Sequence, residues 1–117
     1  MFYEQHKDWI TEQEHTDIIK SVVLADKWSF GQTSDDGRYD LNFPMWTQGF
    51  FKVKDQQFTQ DTPDIIKTIS LRFVAQCPED YVLIRSMACA NTFGLDGDFH
   101  TDWPSPNKSV TGVLYTD

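Results

Sequence analysis

His100 and Asp102 are the two residues of this sequence whose types and spacing are best suited to chemistry. They lie in the stretch GLDGDFHTDW, residues 94–103. On an extended backbone, residues i and i+2 point to the same side, so the imidazole and the carboxylate would converge on one point. Such a pair fills two adjacent corners of an octahedral site, as in the two-histidine, one-carboxylate arrangement that binds non-haem Fe(II). The spacing is therefore compatible with metal ligation by His100 and Asp102.

Two other interpretations of this stretch stand beside metal ligation by the pair. A His-X-Asp triplet also occurs by chance in polar surface loops. The aspartates at 96, 98 and 102 suggest calcium, but an EF-hand loop needs glycine at its sixth position and glutamate at its twelfth. Here Gly97 comes second and no such glutamate follows. The order of residues therefore argues against an EF-hand.

Length and composition define the class of protein that must position these residues. The 117 residues fit one domain, residues 1–117, with a hydrophobic core. The net charge of −8 argues against nucleic acid as a partner, because phosphate binding needs a basic surface. No apolar run approaches the roughly 20 residues that span a bilayer, and the N-terminus does not resemble a signal peptide. We therefore expect a cytoplasmic protein with neither a nucleic-acid nor a membrane partner.

Two cysteines, Cys77 and Cys89, predict neither a disulfide framework nor a zinc site. We expect Cys89 to be buried as a small hydrophobic residue. Trp28, Trp46 and Trp103 could line a substrate groove. For Trp28 and Trp46 we expect packing in the core instead, while Trp103 could shape the mouth of a site beside Asp102.

Two helices are expected from local patterns. The segment TEQE, residues 11–14, matches a capping box and is followed by apolar residues at helical spacing, which predicts a helix over residues 11–26 whose apolar stripe packs on a sheet. A second helix should start with Thr62 as its cap and Pro63 at the first helical position, and end at Pro78. Its expected buried face is Ile65, Ile66, Ile69, Phe73 and Val74.

The strand signals are less uniform. Residues 29–45 indicate an irregular hairpin or long loop around Asp36-Gly37, with Tyr39, Leu41 and Phe43 alternating along one arm. The segment MWTQGFFKV fits either a strand or a helical turn. Further strands are expected from Tyr81 onward and from near Ser109, where Tyr115 would face away from Gly112. The pattern predicts an α+β fold with its sheet in the C-terminal half.

Residues 84–117 resemble the iron-binding half of the 2-oxoglutarate- and Fe(II)-dependent oxygenases, most closely the prolyl 4-hydroxylase-like subgroup. The resemblance is carried by ANTFGLDGDFHTDWPSPNKSVTGVLYTD: small residues, a glycine-containing bend, H-x-D, a short loop and a V-T-x-x-x-Y strand. It implies that His100 and Asp102 are iron ligands. It also implies that Tyr115 binds the distal carboxylate of 2-oxoglutarate, the alternative being a tyrosine packed in the core.

The same resemblance implies a fold and a reaction. The fold would be a jelly-roll-like double-stranded β-helix, present here as a partial sheet on which N-terminal helices pack. The reaction would couple decarboxylation of 2-oxoglutarate to succinate with hydroxylation of a C–H bond in a small molecule or peptide. The segment Cys89-Ala90-Asn91 departs from relatives that carry an aromatic residue there.

Family members carry their second histidine ligand and a basic residue for 2-oxoglutarate several strands further on, whereas His6 and His15 precede the motif here. We therefore expect the chain to be the truncated N-terminal portion of an oxygenase domain, inactive alone. The alternative is a non-catalytic β-sandwich fragment or interaction module, which would form a homodimer through its open sheet edge.

Overall fold

The computed structural model describes residues 4–33, 44–52, 54–90 and 110–116. These residues form two helices and a four-stranded antiparallel sheet, an α+β arrangement. The elements are α1 (Glu12–Ile18), continued by a π-helical turn (Ile19–Val23), then β1 (Ser29–Thr33), β2 (Pro44–Lys52), β3 (Gln57–Phe58), α2 (Asp64–Gln76) and β4 (Arg85–Ala90). Both halves of the chain contribute strands, so the expectation of a sheet in the C-terminal half is wrong. The described residues form neither a jelly roll nor a double-stranded β-helix.

Helix α1 begins as its sequence predicts. The Thr11 hydroxyl accepts a hydrogen bond from the Glu14 N–H at 3.1 Å, and the Glu14 carboxylate accepts one from the Thr11 N–H at 2.9 Å, which confirms the capping box. Beyond Ile18 the helix widens, and the Leu24 N–H donates to the Ile19 carbonyl, five residues back. The helical segment ends at Val23 rather than at residue 26.

Side chains from elsewhere satisfy the carbonyl groups at the end of this helix. The Gln48 amide Nε2 donates to the Val22 carbonyl at 2.8 Å, and the Trp28 indole donates to the Val23 carbonyl at 3.2 Å. The last carbonyls of a helix have no partner within the helix, so such bonds stabilise its end. Gln48 in addition ties the helix to the centre of β2.

Strand β2 is the centre of the sheet. Strand β4 pairs with it along Trp46–Lys52, and β1 and β3 overlap that stretch at its two ends, so they must lie on the opposite edge of β2. The segment MWTQGFFKV therefore enters a strand, and β1 and β2 pair as the two arms of a hairpin, as one of the sequence interpretations had it. The expected turn at Asp36-Gly37 and the alternation of Tyr39, Leu41 and Phe43 lie outside the described residues.

The hydrophobic core lies between the helices and β2. Its buried members come from α1, the π-helical turn, β2 and α2: Ile18, Val22, Phe50 and Ile66. Partly buried residues surround them, namely Ile10, Trp28, Phe58, Ile65, Ile69 and Ala88. The apolar stripe of the first helix thus packs on the sheet, as expected, because Phe50 presents the sheet side of the same cluster.

Helix α2 starts one step later than predicted and without the expected cap. Its first residue is Asp64, and no side chain caps its N-terminus. The Thr62 hydroxyl instead donates to the Phe50 carbonyl at 3.3 Å and lies 2.7 Å from the Thr59 hydroxyl. The assignment of Thr62 as the cap is therefore wrong, because the side chain bonds to β2 rather than to its own helix.

Two expectations about the chain after α2 are also corrected. Strand β4 begins at Arg85, and the residues from Tyr81 to 84 have no regular structure. Cys89 lies on β4 with an exposed side chain, so the expectation of a buried Cys89 is wrong. Alternate residues of a strand face opposite sides, and the neighbouring Ala88 is the one that packs against the core.

Residues 110–116 do not form the strand expected from near Ser109. The segment lies against the helices instead: Gly112 packs on the ring of Phe73 in α2, and the Thr116 carbonyl accepts a hydrogen bond from His15 of α1 at 3.3 Å. Alternating side chains indicate two faces but do not supply a pairing strand. None of the described helices is long and apolar enough to cross a membrane.

Candidate functional site

The two expected metal ligands, His100 and Asp102, and the neighbouring Trp103 lie outside the described residues. The structure describes the chain on either side of them. Strand β4 ends at Ala90, ten residues before His100, and the chain is described again from Val110. The prediction of metal ligation by this pair therefore stays a prediction.

Tyr115 is the one expected site residue that the structure describes. Its side chain is 80% exposed, so the alternative of a tyrosine packed in the core is wrong. The segment that carries it is held on both sides, because Gly112 rests on Phe73 and Thr116 is bonded to His15. The Tyr115 hydroxyl is thus presented to solvent from a segment anchored on the two helices.

The other two histidines are engaged away from any cluster of ligands. His6 Nε2 lies 3.0 Å from the Glu4 carboxylate at an exposed site, and His15 bonds to the Thr116 carbonyl. Across residues 4–33, 44–52, 54–90 and 110–116, no three His, Cys, Asp or Glu side chains are placed to hold one metal ion.

A hollow of about 350 Å³ opens where β4 ends. We call it the aromatic hollow; the described residues that line it are Val23, Trp28, Trp46 and Ala90. Trp46 and Ala90 are direct partners in the β2–β4 ladder, so the hollow lies at the end of the sheet from which the chain continues toward His100. Its described lining is apolar.

The walls of the aromatic hollow are held in place by contacts outside it. The Trp28 indole N–H is bonded to the Val23 carbonyl, and the ring packs against the core. The Trp46 ring lies 4.8 Å from that of Phe30, centroid to centroid, and is tilted by 46°. Trp46 is 39% exposed, so the expectation that it packs in the core is wrong, whereas Trp28 does pack there. The alternative interpretation, in which these tryptophans line a groove, agrees with the hollow that Trp28 and Trp46 share.

A smaller polar cavity of about 70 Å³ is lined by Lys27, Gln48, Gly49, Phe50 and Asp61. Lys27 and Asp61 form an ion pair of 3.4 Å at an exposed position. The Thr59 hydroxyl bond, and then the Lys27 ammonium, lower the pKa of Asp61 below its ordinary value. The cavity has room for water beside the buried amide of Gln48.

The most perturbed carboxylate in the described part of the chain is Glu14, which joins the two helices. Arg72 donates hydrogen bonds to both carboxylate oxygens of Glu14 and a third to the Trp9 carbonyl. The Arg72 bonds, followed by the Thr11 N–H bond, lower the pKa of Glu14 to about 2. Because each carboxylate oxygen already accepts a bond, this arrangement is structural. Sequence inspection anticipated the Thr11 bond but not the partner on α2.

No family model matches the sequence, and no curated protein or solved structure is detectably similar to it.

Proposed function

We propose that this chain belongs to an Fe(II)- and 2-oxoglutarate-dependent hydroxylase domain, with His100 and Asp102 as two iron ligands and Tyr115 as a ligand of the 2-oxoglutarate carboxylate. The observation that carries the proposal is the H-x-D motif within residues 84–117, whose pattern resembles this family. The exposed Tyr115 hydroxyl supports the third assignment, because a carboxylate can reach it from solvent.

The chemistry of the donor set fits the metal. Imidazole nitrogen and carboxylate oxygen are the donors of the facial arrangement that leaves positions open for other ligands on Fe(II). When bound, iron supplies the activation of dioxygen that the oxidation of 2-oxoglutarate and of a C–H bond requires. His100 and Asp102 would hold the metal, while Tyr115 would orient the co-substrate by donating a hydrogen bond to its carboxylate. A hydrogen bond to a charged group contributes about 1.5–3 kcal/mol.

Calorimetric titration with Mn(II), with and without 2-oxoglutarate, tests the proposal. We expect weak binding by the wild-type chain that strengthens with 2-oxoglutarate and is lost in His100→Ala and in Asp102→Ala. His6→Ala is the matched control and should bind as the wild type does, because His6 is engaged with Glu4. Binding that survives His100→Ala, or no binding at millimolar Mn(II), would contradict the proposal. Binding is the primary readout because turnover needs a third protein ligand as well.

A second candidate function is an interaction module that associates with a second copy of itself. It is favoured by large hydrophobic side chains that stand in solvent, among them Leu71, Val82 and Val113. Sedimentation velocity across a range of concentrations separates the candidates. A concentration-dependent dimer without any metal binding would favour the interaction module, and a monomer that binds Mn(II) would favour the oxygenase.

A further inference from the structure

We propose that the aromatic hollow binds an uncharged, flat ring of the substrate. The inference names a substrate class for the proposed oxygenase. It rests on that proposed function, because the bound ring is a substrate only if the protein is an oxygenase. The binding step itself can be tested without metal or turnover.

The size of the hollow favours a small ligand over a macromolecular partner. Its volume of about 350 Å³ falls at the lower end of the roughly 300–1,000 Å³ that small-molecule sites occupy. A site of this volume accepts a single ring system with its substituents. An interface between proteins spreads over a far larger area, about 800 Å² on each partner.

The chemistry of the lining selects an uncharged group. Two indole rings provide faces and edges on which another ring can stack, and Val23 and Ala90 contribute aliphatic surface. Tryptophan rings also attract cations. However, none of the four described lining residues is a carboxylate, so a cation that gave up water to pack against them would gain no opposite charge from them. A neutral ring has no such loss.

The two tryptophans are also positioned before any ligand arrives. Trp28 is fixed by its bond to the Val23 carbonyl, and Trp46 is supported by Phe30 and by its ladder position opposite Ala90. A site whose side chains are already ordered loses little conformational entropy when a ligand binds. This order separates the hollow from a patch of loosely exposed apolar side chains.

The hollow lies at the end of the strand that precedes the proposed metal ligands in the sequence. Ala90 ends β4 and forms part of the lining, and the chain that follows it leads to His100. A ring held there would lie beside Ala90, ten residues before His100 in the sequence.

Titration of indole into the full-length chain, without metal or 2-oxoglutarate, tests the proposal. Saturation-transfer NMR and protein chemical shifts report binding, and we expect saturable binding by the wild type. Ala90→Leu fills the hollow and should weaken binding by about tenfold or more. Trp46→Ala removes one wall and should also weaken it. Val82→Ala, which truncates an exposed side chain outside the hollow, is the matched control and should leave the affinity unchanged.

Thermal unfolding of each variant shows whether it is folded. If either Ala90→Leu or Trp46→Ala does not fold, the other variant still tests the proposal. Lack of saturation by indole, or equal affinity in the wild type and in folded Ala90→Leu or Trp46→Ala, would overturn the proposal. Tetramethylammonium binding more tightly than indole would overturn the uncharged class. If indole binds as expected while Mn(II) does not, the oxygenase function is contradicted and the ring-binding site stands. If Mn(II) binds while indole does not, only the proposed ring-binding site is contradicted.

Discussion

Gly112 lies so close to Phe73 that a Cβ atom at residue 112 would be 2.7 Å from Cε2 of the ring. This contact places the backbone of residues 110–116 directly on α2. The backbone of residue 112 can lie this close to the ring only because glycine has no Cβ atom. The contact of Gly112 with Phe73 therefore holds the segment that carries Tyr115 against helix α2 rather than against the sheet.

Gly112→Ala should destabilise the chain. The added methyl group forces the ring of Phe73 or the segment to move, and overpacking of this kind costs about 1–3 kcal/mol. Urea unfolding measures the loss. Gly49→Ala is the matched control, since a Cβ there would meet only the end of the Lys52 side chain at 3.6 Å. Adding Phe73→Leu should recover part of the loss; a Gly112→Ala variant as stable as the wild type would show that the contact is not held in solution.

The ion pair of Glu14 with Arg72 makes stability depend on acidity. The pKa of Glu14 in the folded chain is about 2, below its ordinary value of 4.5. The unfolded chain therefore binds the proton first as the pH falls, and the stabilisation is complete above about pH 4.5 and lost toward pH 2. Glu14→Gln should lower the unfolding free energy at neutral pH, and its difference from the wild type should shrink over that window.

Urea unfolding between pH 2 and pH 7 measures this difference. Glu12→Gln is the matched control, because Glu12 also lies in the first turn of α1 but has an exposed side chain and no bond to Arg72. A Glu14→Gln difference that stays constant from pH 7 to pH 2 would mean that the carboxylate is not held by Arg72 in the folded state.

Gln48 offers a test of how the helix end is attached to the sheet. The side chain is 6% exposed, and its Nε2 donates to the Val22 carbonyl. Gln48→Glu keeps the shape but replaces this donor with an acceptor that faces a carbonyl. We expect a loss of about 1–3 kcal/mol, as for a buried group left without its partner. The loss should grow as the pH rises and the introduced carboxyl ionises, because burial disfavours its charged form.

The control for this change is Gln57→Glu, which makes the same substitution at an exposed position of β3. Urea unfolding at pH 5 and pH 8 compares the two variants. If Gln48→Glu lowers the unfolding free energy as little as Gln57→Glu does, Gln48 is not bonded to the helix end.

The sequence predicts those features that depend on neighbours along the chain. The capping box of α1 is confirmed because Thr11 and Glu14 satisfy each other within one turn. Thr62 has the same kind of side chain, yet it bonds to a carbonyl 12 residues earlier on β2, and no local pattern contains that partner. The same limit explains why the bonds of Arg72 to Glu14 were not anticipated.

The prediction of a strand from near Ser109 fails for a related reason. The alternation of residues 110–116 is real, but a strand needs a hydrogen-bonding neighbour, and the segment lies on Phe73 and His15 instead. Of the candidate site, the sequence supplied residue types and their spacing. The aromatic hollow depends on the β2–β4 register that sets Trp46 opposite Ala90, which no sequence spacing encodes.

Tyr115→Phe separates a role in co-substrate binding from a role in folding. The side chain is 80% exposed, so removing its hydroxyl should change the unfolding free energy by no more than about 0.5 kcal/mol. If the hydroxyl donates to 2-oxoglutarate, its loss should weaken co-substrate binding about tenfold or more, measured calorimetrically with Mn(II) present. Tyr81→Phe, on the segment before β4, is the matched control and should leave that affinity intact. Unchanged 2-oxoglutarate affinity in Tyr115→Phe would remove this residue from the proposed site while leaving His100 and Asp102 to be judged by their own variants.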